Sequence, residues 1–301
     1  MRSVAGDNDA SDEVALNTRV DEEALVLACE GDFIVGVLSA PRSHAKRGVL
    51  IVVGGPQYRV GSHRQFTLLA RHLADAGIAS LRFDYRGMGD STGEVRSFER
   101  AGTDIRCAID RFLATVPGVK EVVIWGLCDA ASAALIYAHQ DPRVSALVLL
   151  NPWVRTEQGI ARAHLRHYYL ARLFHRSLWQ KIGRGEFDVR EAAAAFGKFV
   201  ADAVRPGQTY RDPASAPLPE RMLDGLRRFH GRVMLILSGK DLTAQEFRDL
   251  TASSADWRSL LGHTRVTRYE LPEANHTFAR RDWRNQVARW TAEWVNTWTQ
   301  W

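Results

Sequence analysis

Short apolar runs recur along the chain with two different periods. Ala24–Cys29 and Phe33–Leu38 flank Glu30-Gly31-Asp32, a hairpin turn signal, and predict two antiparallel strands. Beyond them strand and helix patterns alternate. Strands are predicted at Val49–Val53, Ala79–Phe83, Val122–Trp125 and Ala146–Leu150, and helices at His63–Ala76, Phe98–Thr115 and Asp129–His139. Such a beat needs right-handed crossovers and yields a mostly parallel sheet covered by helices on both faces, an α/β fold. The rhythm stops at Asn151-Pro152 and resumes with a strand at Val233–Leu237, a helical stretch from Ala244, a strand at Arg265–Leu271 and a last helix. The chain thus divides into a loose tail (1–20), a core in two parts (21–151 and 231–301) and a helical cap insertion (152–230).

The 301 residues admit two units or one core with an insertion, and 46% hydrophobic with 25% charged residues excludes a disordered chain. The polar first twenty residues lack the apolar segment of a secretory signal. The longest apolar window, Val144–Leu150, falls far short of the ~20 residues that span a bilayer. Three scattered cysteines, Cys29, Cys107 and Cys128, lack the dense even pattern of a disulfide framework, which points to a reducing compartment and a cytoplasmic protein. The net charge of +5 is modest and forms no nucleic-acid arm. It is concentrated in the insertion, where fourteen Lys or Arg face eight Asp or Glu between positions 151 and 230. A basic flap could draw in anionic substrates, although solvated Arg and Lys stems on helix surfaces are the commoner origin of such a bias. Trp283, Val287, Trp290, Trp294, Trp298 and Trp301 share one face of the last helix, as core packing would require. For Trp298 and Trp301 a membrane-surface or partner contact is the alternative.

Chemistry concentrates at Trp125-Gly126-Leu127-Cys128-Asp129-Ala130, where an apolar strand meets an Ala-rich helix. A nucleophile elbow belongs at such a junction, and Gly126 and Ala130 supply the small residues it needs on either side. A thiol there sits at a helix N-terminus, whose partial positive charge favours thiolate. Equally, a cysteine can simply fill space. An attacking thiol needs a base and a group that orients the base. Asp241, just past the strand ending Leu235-Ile236-Leu237-Ser238, and His276, just past the last strand, stand in the order nucleophile, acid, histidine. Both lie at the carboxyl ends of strands, where open α/β sheets gather their sites. Donors for a developing oxyanion are available in Val53-Gly54-Gly55-Pro56-Gln57. The N–H of Gly55 or of Gln57 would work with that of Asp129, since Pro56 has none to give. A plain strand-terminating turn is the competing reading of that loop. His63, at a helix start beside it, is a candidate substrate contact, for which a capping or surface role is the commoner reading. The sequence contains no metal-ligand cluster, P-loop or dinucleotide fingerprint, so neither cofactor nor metal is expected.

Together these residues resemble the α/β-hydrolase superfamily, from the first strands to the last helix, with the insertion in the usual cap position. Asp84-Tyr85-Arg86-Gly87-Met88-Gly89-Asp90-Ser91 is similar to its D-x-R-G-x-G-x-S loop. The resemblance makes that loop structural and Asp84 not the catalytic acid. More narrowly, Gly54 to Arg64, Trp125 to Asp129 and Ser238 to Thr243 resemble the first of two hydrolases that accompany bacterial exosortase A systems, which are tied to protein sorting and exopolysaccharide production. The sequence departs from the superfamily in several places. Cys replaces the usual Ser, as in dienelactone hydrolase-like members, Ala130 replaces the second glycine, and Val53 stands where a histidine is usual. The acid loop is one residue short, leaving Asp249 and Asp256 as reserves. The reading is a Cys128-His276-Asp241 hydrolase of small-molecule esters, thioesters or similar acyl groups. An acyltransferase with the same triad, or a non-catalytic scaffold, is the alternative.

Overall fold

A computed structural model describes residues 21–41, 46–54, 58–155 and 216–297. The chain forms two compact units, one of residues 1–154 and 222–301 and a second of residues 155–221. Most of the second unit, with the tail and the terminal Trp298 and Trp301, lies outside the described residues.

The first unit is built on an eight-stranded sheet in the order β1-β2-β4-β3-β5-β6-β7-β8. These strands are β1 (Asp21–Cys29), β2 (Asp32–Ala40), β3 (Arg47–Val52), β4 (Ala79–Phe83), β5 (Glu121–Leu127), β6 (Val144–Leu150), β7 (Arg232–Ser238) and β8 (Val266–Leu271). Strands β1, β2 and β4 pair antiparallel, and every pairing from β4 through β3 to β8 is parallel. Glu30 and Gly31 close the β1–β2 hairpin with positive φ at both positions, as a two-residue type I′ turn requires. The central strands are buried on both faces and read as unbroken apolar runs. Edge strand β8 alternates, because one of its faces meets water.

Helices cover both faces. On one, Val49, Ile51, Trp125, Val148 and Ile236 pack beneath α1 (Gln65–Asp75) and the final helix α7 (Arg281–Asn296). On the other lie α2 (Gly102–Thr115) and α3 (Asp129–Tyr137). The tryptophan stripe is core packing where it is described. Trp294 is buried and donates Nε1–H to Thr267 Oγ1 at 3.2 Å, and Trp290 stacks on Tyr269 with ring centroids 4.4 Å apart. The helix predicted from Ala244 is two helices, α5 (Leu242–Ser253) and α6 (Ala255–Leu261), because Ser254 leaves helical geometry to cap the second. They follow α4 (Leu218–Arg228), whose Gly225 passes against the Leu135 carbonyl of α3.

The cysteine reading needs correction. Cys29 and Cys107 form a disulfide that ties the end of β1 to α2, with Cα atoms 5.8 Å apart, and only Cys128 is free among the three. A single bridge across 78 residues leaves no spacing signature in the sequence, so counting thiols missed it. The cysteine count therefore no longer argues for a reducing compartment. No helix among the described residues is long and apolar enough to cross a membrane.

Candidate active site

Cys128 occupies the turn between β5 and α3 with φ 64° and ψ −124°, a conformation that costs a residue bearing a Cβ and survives only where surroundings enforce it. The enforcement is visible. The Cys128 N–H donates to the Leu150 carbonyl at 2.9 Å, extending the β5–β6 pairing, and the Cys128 carbonyl accepts the N–H groups of Ala131, Ser132 and Trp153 at 3.1, 3.3 and 3.2 Å. The Ser132 hydroxyl ties the same corner down by donating to the Trp153 carbonyl at 2.6 Å. The turn is tight enough that a Cβ on Gly126 would lie 2.7 Å from the Ala130 carbonyl, which explains the glycine two before the thiol. The β3 loop approaches from the side. A Cβ on Gly54 would fall 2.1 Å from Asp129 Oδ1 and 2.8 Å from the Leu127 carbonyl.

Asp241 and His276 come from the two loops beyond β7 and β8. Asp241 is the N-cap of α5, accepting the N–H of Thr243 through Oδ1 (3.2 Å) and of Ala244 through Oδ2 (3.0 Å). The same Oδ2 lies 2.9 Å from His276 Nδ1. Capping and orientation of the imidazole are thus combined in one carboxylate, and the shorter acid loop does not prevent the contact. Burial opposes ionisation of Asp241. The hydrogen bond and charge of His276, with the two helix N–H groups, outweigh it and hold the carboxyl below its usual range. His276, one-third exposed at its side chain, is raised to about 10, first by the Asp241 hydrogen bond and next by a hydrogen bond with Cys128, against a smaller opposing effect of burial. With Nδ1 engaged by Asp241, Nε2 is left for the thiol. The reserve carboxylates are occupied elsewhere: Asp249 accepts from Gln245 Nε2 at 2.9 Å, and Asp256 pairs with Arg227 at 3.0 Å.

Of the predicted oxyanion donors, Asp129 stands at the first position of α3, and Gly55 and Gln57 lie outside the described residues. His63 is exposed, with φ 53°, in a short turn ahead of α1. Asp84 is fully buried and structural. It accepts the Arg59 N–H at 2.6 Å and the Asp90 N–H at 3.2 Å and pairs with the Arg59 guanidinium, which also reaches Asp90 at 2.8 Å. These bonds pin the chain just after the β3 loop. Sequence reasoning passed over Arg59, and it also treated Asn151 only as the end of a strand. Asn151 is fully buried with φ 43°, and its side chain joins Ser238 to the histidine loop. An Asn-Pro step after a strand was the one available signal, and it reads first as a turn.

Comparison with known proteins agrees with this architecture. A family model described as serine aminopeptidase S33 matches residues 44–205. The human protein ABHD12B is 33% identical over 109 residues, covering 35% of this chain and 29% of its own length. The thiohydrolase apmlB of Arthrinium phaeospermum is 40% identical over 82 residues, covering 26% of each. The chain therefore spans less than a third of the length of either relative. Among solved structures, the esterase Pf2001 of Pyrococcus furiosus superposes with a TM-score of 0.62 at 13% identity, covering 99% of both chains. A dienelactone hydrolase from Anabaena variabilis reaches 0.61 at 17% identity, covering 94% of this chain and all of its own. At such identities the likeness is one of fold.

Proposed function

The chain belongs to the serine aminopeptidase S33 family of α/β-hydrolases, and from that footing we propose that it is a cysteine-dependent hydrolase of small-molecule esters or thioesters. The observation that carries the reading is the Cys128 elbow at φ 64°, facing a His276 whose other nitrogen is 2.9 Å from the buried Asp241 carboxylate. In the proposed cycle, Cys128 Sγ attacks the acyl carbonyl carbon while its proton resides on His276. The bond to the leaving oxygen or sulfur breaks, and His276 passes its proton to that atom. The product is an acyl-thioester on Cys128. Once the thiol is acylated, the second of the two hydrogen bonds that raise His276 is gone, and the neutral imidazole can take a proton from water. Water attacks the thioester carbon, the S–C bond breaks, and the proton returns to sulfur. Asp241 holds the imidazole in one tautomer and stabilises its cationic form. The N–H of Asp129 with that of Gly55 or Gln57 would stabilise the oxyanion.

The thiohydrolase relative supports a thioester among the substrates. The narrower likeness to the first hydrolase of exosortase A systems points to a task accompanying exopolysaccharide production, testable in a deletion strain complemented with wild type or Cys128→Ala. The direct test is hydrolysis of a panel of activated acyl esters and thioesters by wild type and Cys128→Ala, with intact mass recorded during turnover. Turnover with an acyl mass on the Cys128 peptide, both lost in the variant, is the expected result. Equal activity of the two proteins would overturn the assignment.

A further inference from the structure

We propose that Asn151 is the positioning residue of this site, its buried amide clamping the end of the acid strand to the histidine loop so that Asp241 and His276 meet. The inference rests on reading Cys128, Asp241 and His276 as one catalytic unit. Asn151 follows directly on β6, and its N–H reaches the Ile236 carbonyl of β7 at 3.2 Å. Its φ of 43° lies in the left-handed region that Asn tolerates better than most residues with a Cβ. From there the side chain makes three hydrogen bonds. Oδ1 accepts the Ser238 N–H at 2.9 Å, and Nδ2 donates to Ser238 Oγ at 2.8 Å and to the His276 carbonyl at 3.0 Å. A backbone N–H can only donate and a carbonyl can only accept, so these partners dictate which end of the amide is oxygen and which is nitrogen.

The two anchor points are the ones the chemistry needs. Ser238 ends β7 three residues before Asp241, and the His276 carbonyl belongs to the base itself. The acid and histidine loops are also joined by backbone bonds, from Gly239 N–H to the Leu271 carbonyl and from Lys240 N–H to the Ala274 carbonyl, both 2.9 Å. Asn151 adds a buried side-chain tie between the same two segments, anchored on the neighbouring strand β6. Few other residues could do this. Asp would set a carboxylate oxygen against the His276 carbonyl, Ser lacks a second arm, and Ala keeps the strained backbone while making none of the bonds. None of its three hydrogen bonds goes to the thiol or the imidazole ring, so the proposed effect passes through the separation and alignment of Asp241 and His276.

The full-length chain carrying Asn151→Gly tests this, because glycine accepts the positive φ while losing the amide. Asn151→Asp keeps the size and replaces the donor with an acceptor. In both, kcat on the best ester or thioester should fall on the order of tenfold to a hundredfold, with KM unchanged, as expected when reacting groups shift by a fraction of an ångström. A merely structural role would not predict a second effect. The alkaline limb of kcat/KM should move to lower pH, because a looser Asp241–His276 contact raises His276 less. Circular dichroism checks that the variants fold. If they do not, Ser238→Ala, which removes one of the three bonds, should move the same two readouts in the same direction by a smaller amount. Folded variants with wild-type kcat and an unmoved pH profile, or a loss confined to KM, would overturn the proposal. Cys128→Ala separates the premise from the inference. If it is as active as wild type, or neither turns over, the rate of Cys128 alkylation by iodoacetamide at neutral pH replaces turnover. Slower alkylation in Asn151→Gly then supports the clamp, and an equal rate refutes it.

Discussion

Asp241 caps a helix and orients a base, and substitutions can separate the two tasks. In Asp241→Ser the hydroxyl can still accept a helix N–H, and Ser ranks with Asp as an N-cap, so α5 keeps most of its start. The shorter side chain no longer reaches His276 Nδ1, which now sits 2.9 Å from Oδ2. Asp241→Ala loses both contacts. The cap alone is worth about 1 kcal/mol, so the alanine variant should unfold earlier than the serine variant by roughly that amount. Activity should not follow this order. Without the carboxylate His276 loses the larger of its two hydrogen bonds and its fixed tautomer, and removing a triad acid costs on the order of 10⁴ in kcat, or about 5.5 kcal/mol of barrier. Both variants should show this loss equally. Asp241→Asn should lose activity as well, since one orientation of its amide sets the NH₂ group against the Thr243 N–H and the other sets it against both the Ala244 N–H and His276 Nδ1. Initial rates on the acyl panel, read beside thermal unfolding by circular dichroism, decide the matter. Wild-type kcat in Asp241→Ser, with Cys128→Ala inert, would refute the assignment and return Asp249 or Asp256 to consideration.

Three other outcomes follow from the same geometry. Gly54→Ala would drive a methyl group to 2.1 Å from Asp129 Oδ1, so the β3 loop must retreat from the elbow; kcat should fall while overpacking costs about 1–3 kcal/mol in urea unfolding, and unchanged kinetics would sink the argument. Native protein should titrate one thiol with Ellman's reagent, and Cys29→Ser with Cys107→Ser should lower stability by up to about 4.5 kcal/mol, the chain-entropy value for a loop of this length. Three reactive thiols in the untreated native protein would contradict the bridge. His276 is raised from 6.5 to about 10 in the folded chain, so the stability it contributes is fully present below pH 6.5 and is lost as pH rises towards 10. Denaturation midpoints across that window should decline in wild type and flatten in His276→Gln; parallel curves would count against the raised value.

The fold was legible because its signals are local. Period-two and period-3.6 patterning, the Glu30-Gly31 turn and the loss of rhythm at Asn151-Pro152 each act over a few residues, and every predicted strand of the core appears within two or three residues of its expected place. Where the prediction blurred, at the start of α1 and between α5 and α6, short turns with positive φ or a serine cap interrupt a pattern whose hydrophobic period continues.

By itself the sequence determined the order of strands and helices, the small residues around Cys128, and the placement of Asp241 and His276 just past two strand ends, since each follows from neighbours along the chain. Only the tertiary structure decided which groups meet: that Asp241 rather than Asp249 or Asp256 reaches His276, that Cys29 finds Cys107, and that Asn151 joins the acid strand to the histidine loop. These are contacts across 35, 78 and 125 positions. Such separations carry no periodicity or spacing to read, because the sheet, not the chain between them, brings the partners together.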